Sequence, residues 1–291
     1  VIAIVVGTGS MGPEIAATFA ACGLETRLAG RDAGRTSLAT ERARSLAGAA
    51  AVTREAIAEE AFAGVDLVLE TIAEDVDAKR ALYATIEPWV APGAVIATNT
   101  SSLRIADLAG VLARPERFAG LHFLKPAHLT AVVEVIPGPA TDAATTGALR
   151  DLAGRMGKTP LLVRRDVPGF IWNRIQFAVL RECLHMLEQG VATAEDIDAA
   201  VSDGLAPRWT AAGPLATADL GGLATFARIC EGLFPYLAAG TTAPDAILEA
   251  AAAGRPLQEW TAREGLGIEE LRADALAAGR RIAEARRRLV S

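Results

Sequence analysis

The chain opens with an unbroken apolar run, Val1-Ile2-Ala3-Ile4-Val5-Val6, rich in β-branched side chains. Such a run suits a strand covered on both faces, as in a parallel sheet. A helical spacing of apolar residues follows from Ile15 to Cys22 and stops at Gly23, and Glu25–Ala29 reads as a second strand. Further short strands are expected near 50–53, 66–71, 94–98, 117–122, 131–136 and 160–164, with helical patterns between several of them. This alternation predicts an α/β, Rossmann-like doubly wound sheet. The style changes at Asp166-Val167-Pro168-Gly169, beyond which the pattern is almost wholly helical. Phe170–Gln189 reads as one amphipathic helix closed by Gly190, and Ala194–Gly204 as another with Thr193 as its N-cap. Gly213-Pro214 breaks the pattern before a segment expected to run from Leu215 to Tyr236. The expected division is therefore an α/β domain over 1–165 and an all-α domain over 166–291.

Composition narrows the function classes. With 51% of residues apolar, the chain can build a sizeable core, yet no run approaches the roughly 18 apolar residues of a membrane span. The chain begins in a strand-like run and reads as having no signal peptide. Its three cysteines are too scattered for a disulfide framework or a metal site, and read as buried free thiols of a reduced cytoplasmic protein. A net charge of −6 argues against nucleic acid as a partner.

The motif Gly7-x-Gly9-Ser10-Met11-Gly12 follows a strand and opens a helix. In that setting it predicts a dinucleotide site: glycines for the tight turn, for backbone approach to a pyrophosphate and for close packing, with helical N–H groups offered to the phosphates. An NAD enzyme usually ends the second strand with Asp or Glu, which bonds the ribose 2′-hydroxyl. This chain has Leu28-Ala29-Gly30-Arg31 there, with Arg35, Thr36 and Ser37 nearby. Glycine leaves room for a 2′-phosphate and arginine can pair with it, so NADP is expected over NAD, with NAD possible.

The second chemical stretch reads Asn99-Thr100-Ser101-Ser102, then His122-Phe123-Leu124-Lys125-Pro126, then Glu134 within Val132-Val133-Glu134-Val135. A hydroxyl, an imidazole and a carboxylate at the ends of strand-like runs are the parts of a proton relay, and imidazole titrates near neutrality. His128 and His185 have no such company. Together with Glu74, Lys79, Asp166–Arg174 and Gly213-Pro214, these residues resemble the 3-hydroxyacyl-CoA dehydrogenase family, which also holds small-hydroxyacid and λ-crystallin-like members. The resemblance covers residues 1 to about 235. It implies a dinucleotide-binding domain, a helical domain that carries a homodimer interface, and an active site in the cleft between them. It also implies that His122 is the general base, that Glu134 orients it, and that Ser101 and Asn173 hydrogen-bond the substrate oxygen. Glu74, Lys79 and Asn99 are expected to belong with the cofactor residues.

The chain departs from the family pattern at three places. Lys125 stands where the family motif His-Phe-x-Asn-Pro has asparagine. It either binds an anionic group of the substrate or polarises its carbonyl, or else its long stem carries the amine into solvent. The stretch from Gly30 to Asp66 is short for the family, which argues against a coenzyme A thioester. Near the C-terminus, Gly254–Trp260 stands in for a Lys-x-Gly-x-Gly-Phe-Tyr segment without its aromatic pair. The expected function is NADP(H)-dependent interconversion of a secondary alcohol, a 3-hydroxy acid or related biosynthetic intermediate, and its ketone, with His122 as general acid/base. The alternatives are an NAD-dependent 3-hydroxyacyl-CoA dehydrogenase, an imine reductase, and a non-catalytic crystallin-like cofactor-binding protein.

Overall fold

The computed structural model describes residues 1–48, 52–258 and 268–290. They divide into two compact units, Val1–Arg174 and Ile175–Ser291.

The strands of the first unit are β1 (Ile2–Val6), β2 (Glu25–Gly30), β3 (Val52–Ala56), β4 (Leu67–Glu70), β5 (Val95–Thr98), β6 (Phe118–Phe123), β7 (Val132–Pro137) and β8 (Thr159–Leu162). The third expected strand begins at Val52; residues 50 and 51 of that expectation lie outside the described residues. Among the described residues the strands form one eight-stranded sheet in the order β3-β2-β1-β4-β5-β6-β7-β8. Neighbours run parallel except β6 and β7, which are antiparallel. The order 3-2-1-4-5-6 is the doubly wound arrangement the alternation predicts.

The unbroken apolar run of β1 has a direct cause. Ala3 and Val5 pack in one core layer, Ile4 and Val6 in the other, because successive strand residues face opposite sides. The helices of this unit are α1 (Met11–Ala21), α2 (Ala33–Ala47), α3 (Glu59–Phe62), α4 (Val76–Ile86), α5 (Ile105–Ala109) and α6 (Ala143–Arg155). Helices α1, α2 and α6 supply apolar residues to the first layer, and α3, α4 and α5 to the second. Asp32, Asp75 and Asp142 cap α2, α4 and α6 by accepting the N–H of Arg35, Ala78 and Thr145.

Helix α7 (Trp172–Glu188) starts in the first unit and continues into the second. The first compact unit runs on to Arg174, and Glu134 of β7 accepts the N–H groups of Ile171 and Trp172, which keeps that turn with the sheet. The second unit continues with α8 (Ala194–Ala199), a π-helical turn (Ala200–Leu205), α9 (Ala206–Ala211), α10 (Pro214–Gly221), α11 (Leu223–Leu233), α12 (Asp245–Ala253) and α13 (Ile268–Val290). Thr193 caps α8 as expected. The segment expected from Leu215 to Tyr236 is split at Gly222, whose φ of 88° ends one helix and starts the next. Trp260 lies outside the described residues. No helix among the described residues is long and apolar enough to cross a membrane. The three cysteines are free and partly buried rather than fully so.

A buried polar cluster pins β4, β5 and α4 together beneath the carboxyl edge of the sheet. Glu70 Oε1 accepts from Lys79 Nζ and from the Ile72 N–H, both at 2.6 Å. Its Oε2 accepts from the Tyr83 hydroxyl at 2.6 Å and Thr98 Oγ1 at 2.8 Å. Both charges are buried, so their mutual pairing makes the cluster tolerable. Burial, with the adjacent Glu70 charge, pushes the Tyr83 hydroxyl well above its ordinary pKa, so it serves as a neutral donor. Glu70→Ala leaves Lys79 without this partner in the core. A loss of about 3–5 kcal/mol is expected, to be measured as a drop in the urea midpoint.

Candidate active site

The turn between β1 and α1 opens onto a cavity of about 830 Å³. Its walls are Gly7–Met11, the β2–α2 junction from Gly30 to Asp32 with Arg35, Ile57 beyond β3, and Thr71–Ala73 beyond β4. It therefore lies at the carboxyl ends of β1 and β4, where the strand order reverses, which is where such sheets bind dinucleotides. The glycines are sterically required. A Cβ on Gly7, at φ 140°, would sit 2.7 Å from the Thr71 carbonyl oxygen, and one on Gly12 would sit 2.0 Å from that of Gly7. The backbone can close into a phosphate cradle at the N-terminus of α1 only without those side chains.

The far end of the cavity bears on cofactor choice. A Cβ on Gly30 would lie 2.4 Å from Thr36 Oγ1 and 2.5 Å from Thr8 Cγ2, so no carboxylate can be built at this position without repacking. Arg31 and Arg35 are exposed on the cavity wall. Thr36 and Ser37 are not free donors there: their hydroxyls are bonded to the Asp32 carbonyl (2.6 Å) and to Glu41 (3.2 Å). Among the lining residues that escaped the sequence reading, Asp32 and Thr71 carry polar side chains that bear on the site. Asp32 also caps α2, accepting the Arg35 N–H at 2.7 Å. Thr71 Oγ1 is buried without a hydrogen-bond partner; the signal for it was a hydroxyl residue ending an apolar strand beside the glycine turn.

The proton relay forms across one strand pair. His122 of β6 and Glu134 of β7 are direct antiparallel partners, so their side chains share a face. His122 Nδ1 lies 2.6 Å from Glu134 Oε2, with both side chains buried. The other carboxylate oxygen accepts from the Ile171 and Trp172 N–H groups at 2.8 and 2.9 Å. These are donors at the N-terminus of α7, where a helix favours negative charge. Burial acts to raise the Glu134 pKa, but the hydrogen bonds from His122, Trp172 and Ile171 outweigh it and hold the carboxyl below its ordinary value. The turn that aims those donors runs through Gly169 (φ 76°) and Phe170 (φ 49°). A left-handed Phe is costly, by about 1–3 kcal/mol. It is compensated by burying the ring against the His122 imidazole, with centroids 5.7 Å apart.

The expected residues around Ser101 take up different duties. Glu74 Oε1 accepts from Thr100 Oγ1 (2.6 Å) and from the N–H groups of Ser101 and Ser102 (2.8 and 2.9 Å), shaping that turn. Burial works to raise the Glu74 pKa, yet these bonds and nearby Lys79 hold it below the ordinary carboxylate value. Lys79 is buried on Glu70 rather than presented to the cavity. Asn99 Oδ1 accepts the Phe123 N–H at 2.7 Å, tying the end of β5 to the end of β6. Asn173 Nδ2 donates to the Ser101 carbonyl at 3.0 Å, so it braces the Ser101 turn, and Ser101 is exposed. Lys125 is exposed and makes no hydrogen bond or ion pair among the described residues. His128 Nδ1 and His185 lie outside the relay; the former is 4.0 Å from Glu14.

Comparison with known proteins gives the family and the fold. The family model described as 3-hydroxyacyl-CoA dehydrogenase, NAD binding domain, matches residues 2–167, and the model of the C-terminal domain of the same dehydrogenase matches 169–265. The chain is similar to 5-formyl-3-hydroxy-2-methylpyridine 4-carboxylate 5-dehydrogenase of Mesorhizobium japonicum, at 31% identity over 97% of this chain and 98% of that one. It is also similar to 3-hydroxybutyryl-CoA dehydrogenase of Bradyrhizobium diazoefficiens, at 35% identity over 80% and 84% of the two chains. Among solved structures, a 5-formyl-3-hydroxy-2-methylpyridine 4-carboxylic acid 5-dehydrogenase, described as an NAD⁺-dependent dismutase, superposes with a TM-score of 0.91. That match has 30% identity and covers 98% of this chain and all of that one.

The depressed Glu134 pKa sets a pH signature. Its ionised form stabilises the fold fully above the unfolded carboxyl pKa of about 4.3, and that contribution is lost as pH falls through the lower folded value. Glu134→Gln is expected to cost about 1–3 kcal/mol at neutral pH, with the gap to the parent protein narrowing below about pH 4. Thermal unfolding across that range measures it.

Proposed function

This chain belongs to the 3-hydroxyacyl-CoA dehydrogenase family, and from that premise we propose that it is an NADP(H)-dependent oxidoreductase interconverting a secondary alcohol, on a hydroxy acid or related biosynthetic intermediate, and its ketone. The buried His122–Glu134 pair at 2.6 Å, at the same sheet edge as a glycine-lined cavity, is the observation that carries this reading. A nicotinamide dinucleotide, when bound, supplies the hydride acceptor or donor; Gly7–Met11, Arg31 and Arg35 are the residues that would hold it. With Nδ1 occupied by Glu134, His122 presents Nε2 to the reacting oxygen. In oxidation Nε2 takes the hydroxyl proton as the carbonyl forms; in reduction it returns that proton. Glu134 fixes the tautomer and offsets the imidazolium charge. Ser101, braced by Glu74 and Asn173, offers its hydroxyl to the same oxygen.

NADP is favoured by the steric exclusion of a carboxylate at position 30 and by the two exposed guanidinium groups. NAD remains the second reading, supported by Asp32 on the cavity wall and by the NAD⁺ dependence of the similar solved structure. For the substrate, Lys125 supports an anionic group, and the similar Mesorhizobium enzyme is named for a carboxylate compound. The described residues between Gly30 and Asp66 hold only α2, β3 and α3, which supports a substrate smaller than a coenzyme A thioester. We also read the helical unit as the homodimer surface. Neither α10 nor α11 has a buried residue, and Leu215 and Leu220 are 85% and 82% exposed, a burden that a lone chain rarely carries.

Steady-state kinetics tests the chemistry. NADPH should outperform NADH, and Arg31→Ala should raise the KM for NADPH about ten- to a hundredfold while leaving that for NADH unchanged; a parent preference for NADH would exclude the NADP reading. His122→Gln should lower kcat about 10²–10⁴-fold. Lys125→Asn should raise the KM of carboxylate substrates, and unchanged kinetics would place its amine in solvent. Sedimentation equilibrium should give twice the chain mass, and Leu220→Glu should halve it.

A further inference from the structure

Two buried charges outside the relay grip one short loop. Leu124–Thr130 leaves β6 directly behind His122 and carries Lys125. Its middle residue, Ala127, is fully buried and is held on both sides. The Ala127 N–H donates to Glu14 Oε2 at 2.7 Å, and its carbonyl accepts from Lys158 Nζ at 2.7 Å. Lys158 Nζ also donates to the Thr130 carbonyl and stands 5.9 Å from the Phe123 ring centroid. Thr130 closes the loop on itself, donating Oγ1 to the Pro126 carbonyl at 2.9 Å.

Glu14 lies on α1, in the first turn after Met11 of the cavity wall. Its other oxygen meets Arg42 of α2 at 3.3 Å, which balances the charge. One carboxylate, 2% exposed, thus connects the helix whose N-terminus faces the dinucleotide cavity to the loop that bears Lys125. Charge-assisted bonds in a buried setting are short and stiff, so a displacement of α1 is passed to Ala127 rather than absorbed.

We propose that Glu14 and Lys158 are positioning residues that clamp Ala127, so that filling the dinucleotide cavity orders the Lys125 loop before substrate binds. This rests on the reading given above, that the cavity takes a nicotinamide dinucleotide and that Lys125 meets the substrate's anionic group. A dinucleotide diphosphate settling on the N–H groups of α1 restrains that helix. The restraint reaches the loop through Glu14, and a loop already ordered costs the substrate less to engage, which is positive coupling between the two ligands.

Hydrogen–deuterium exchange of residues 124–130, read by mass spectrometry on the full chain with and without saturating NADP⁺, tests the clamp; NAD⁺ forms a parallel arm. In the parent protein, whichever nucleotide binds should slow exchange in this segment about tenfold. Glu14→Met and Lys158→Met should each abolish that nucleotide-induced slowing while nucleotide still binds, and Glu14→Gln, which keeps an acceptor, should restore part of it. A merely structural role would lower the melting temperature without changing the nucleotide response. Nucleotide binding without slowed exchange in the parent, or slowing that persists in both methionine variants, overturns the proposal. Failure of both nucleotides to bind overturns the underlying reading and the proposal together. Lys125→Met separates the two claims, since loss of the amine should leave the slowed exchange in place. The parent comparison needs no variant, so the outcome does not hang on how any variant folds.

Discussion

A carboxylate can be fully buried at position 134 only because three donors converge on it: His122 Nδ1 and the backbone N–H groups of Ile171 and Trp172. Remove His122, or both backbone donors, and an ionised oxygen is left facing the core. The constraint therefore runs in two directions. It fixes the imidazole against the end of β6, and it fixes the first turn of α7 against β7. The left-handed turn at Gly169 and Phe170 exists to bring those helical donors to the oxygen, and Phe170 recovers part of its backbone cost by packing on the imidazole. Relay and interdomain turn thus form one electrostatic unit, and the compact first unit ends after Arg174 for that reason.

The same device recurs along the carboxyl edge of the sheet. Glu74 shapes the Ser101 turn, Asp166 accepts the Ile105 and Ala106 N–H groups at the start of α5, and Glu14 holds Ala127. Loops that leave strand ends have backbone N–H groups with no ladder partner, and a carboxylate satisfies them more strongly than a neutral acceptor. Besides Glu134, the carboxylates Glu14 and Glu70 are buried at this edge, which is tolerable because cations meet them: Arg42 meets Glu14 and Lys79 meets Glu70. The result is an edge whose short loops are each anchored through a carboxylate.

Two features of the carboxyl edge differ in kind. Position 30 has no space for a side chain and has exposed arginines beside it. Lys125 is exposed and makes no hydrogen bond or ion pair among the described residues, on a loop that is otherwise closed on itself. An exclusion of that kind is set by packing and resists drift, whereas a flexible amine can serve several anionic groups.

The central strands were legible in the chain because full burial on two faces demands continuous apolar runs, as in Ala3–Val6, and the glycine turn because its backbone admits no Cβ. His122 and Glu134 were legible as a relay because each is a polar residue embedded in such a run, where an unpaired group would be costly. The break at Gly222 was not, although Gly221 and Gly222 stand together there, since glycine inside a helical pattern is compatible with continuation or with a stop. Glu70 and Lys79 show why partners are harder still: a charge in a buried strand signals that a partner exists without saying which one. Lys79 and Asn99 were therefore expected at the cofactor and are found bracing the sheet edge. The chain by itself determined the elements, the glycine turn and the two polar residues, His122 and Glu134, that stand out in apolar strands, because these depend on local sterics and periodicity. Only the tertiary structure decided which donors each carboxylate meets, as when Glu14 reaches Ala127 across 113 positions, because those pairings arise from how the sheet layers bring distant loops together.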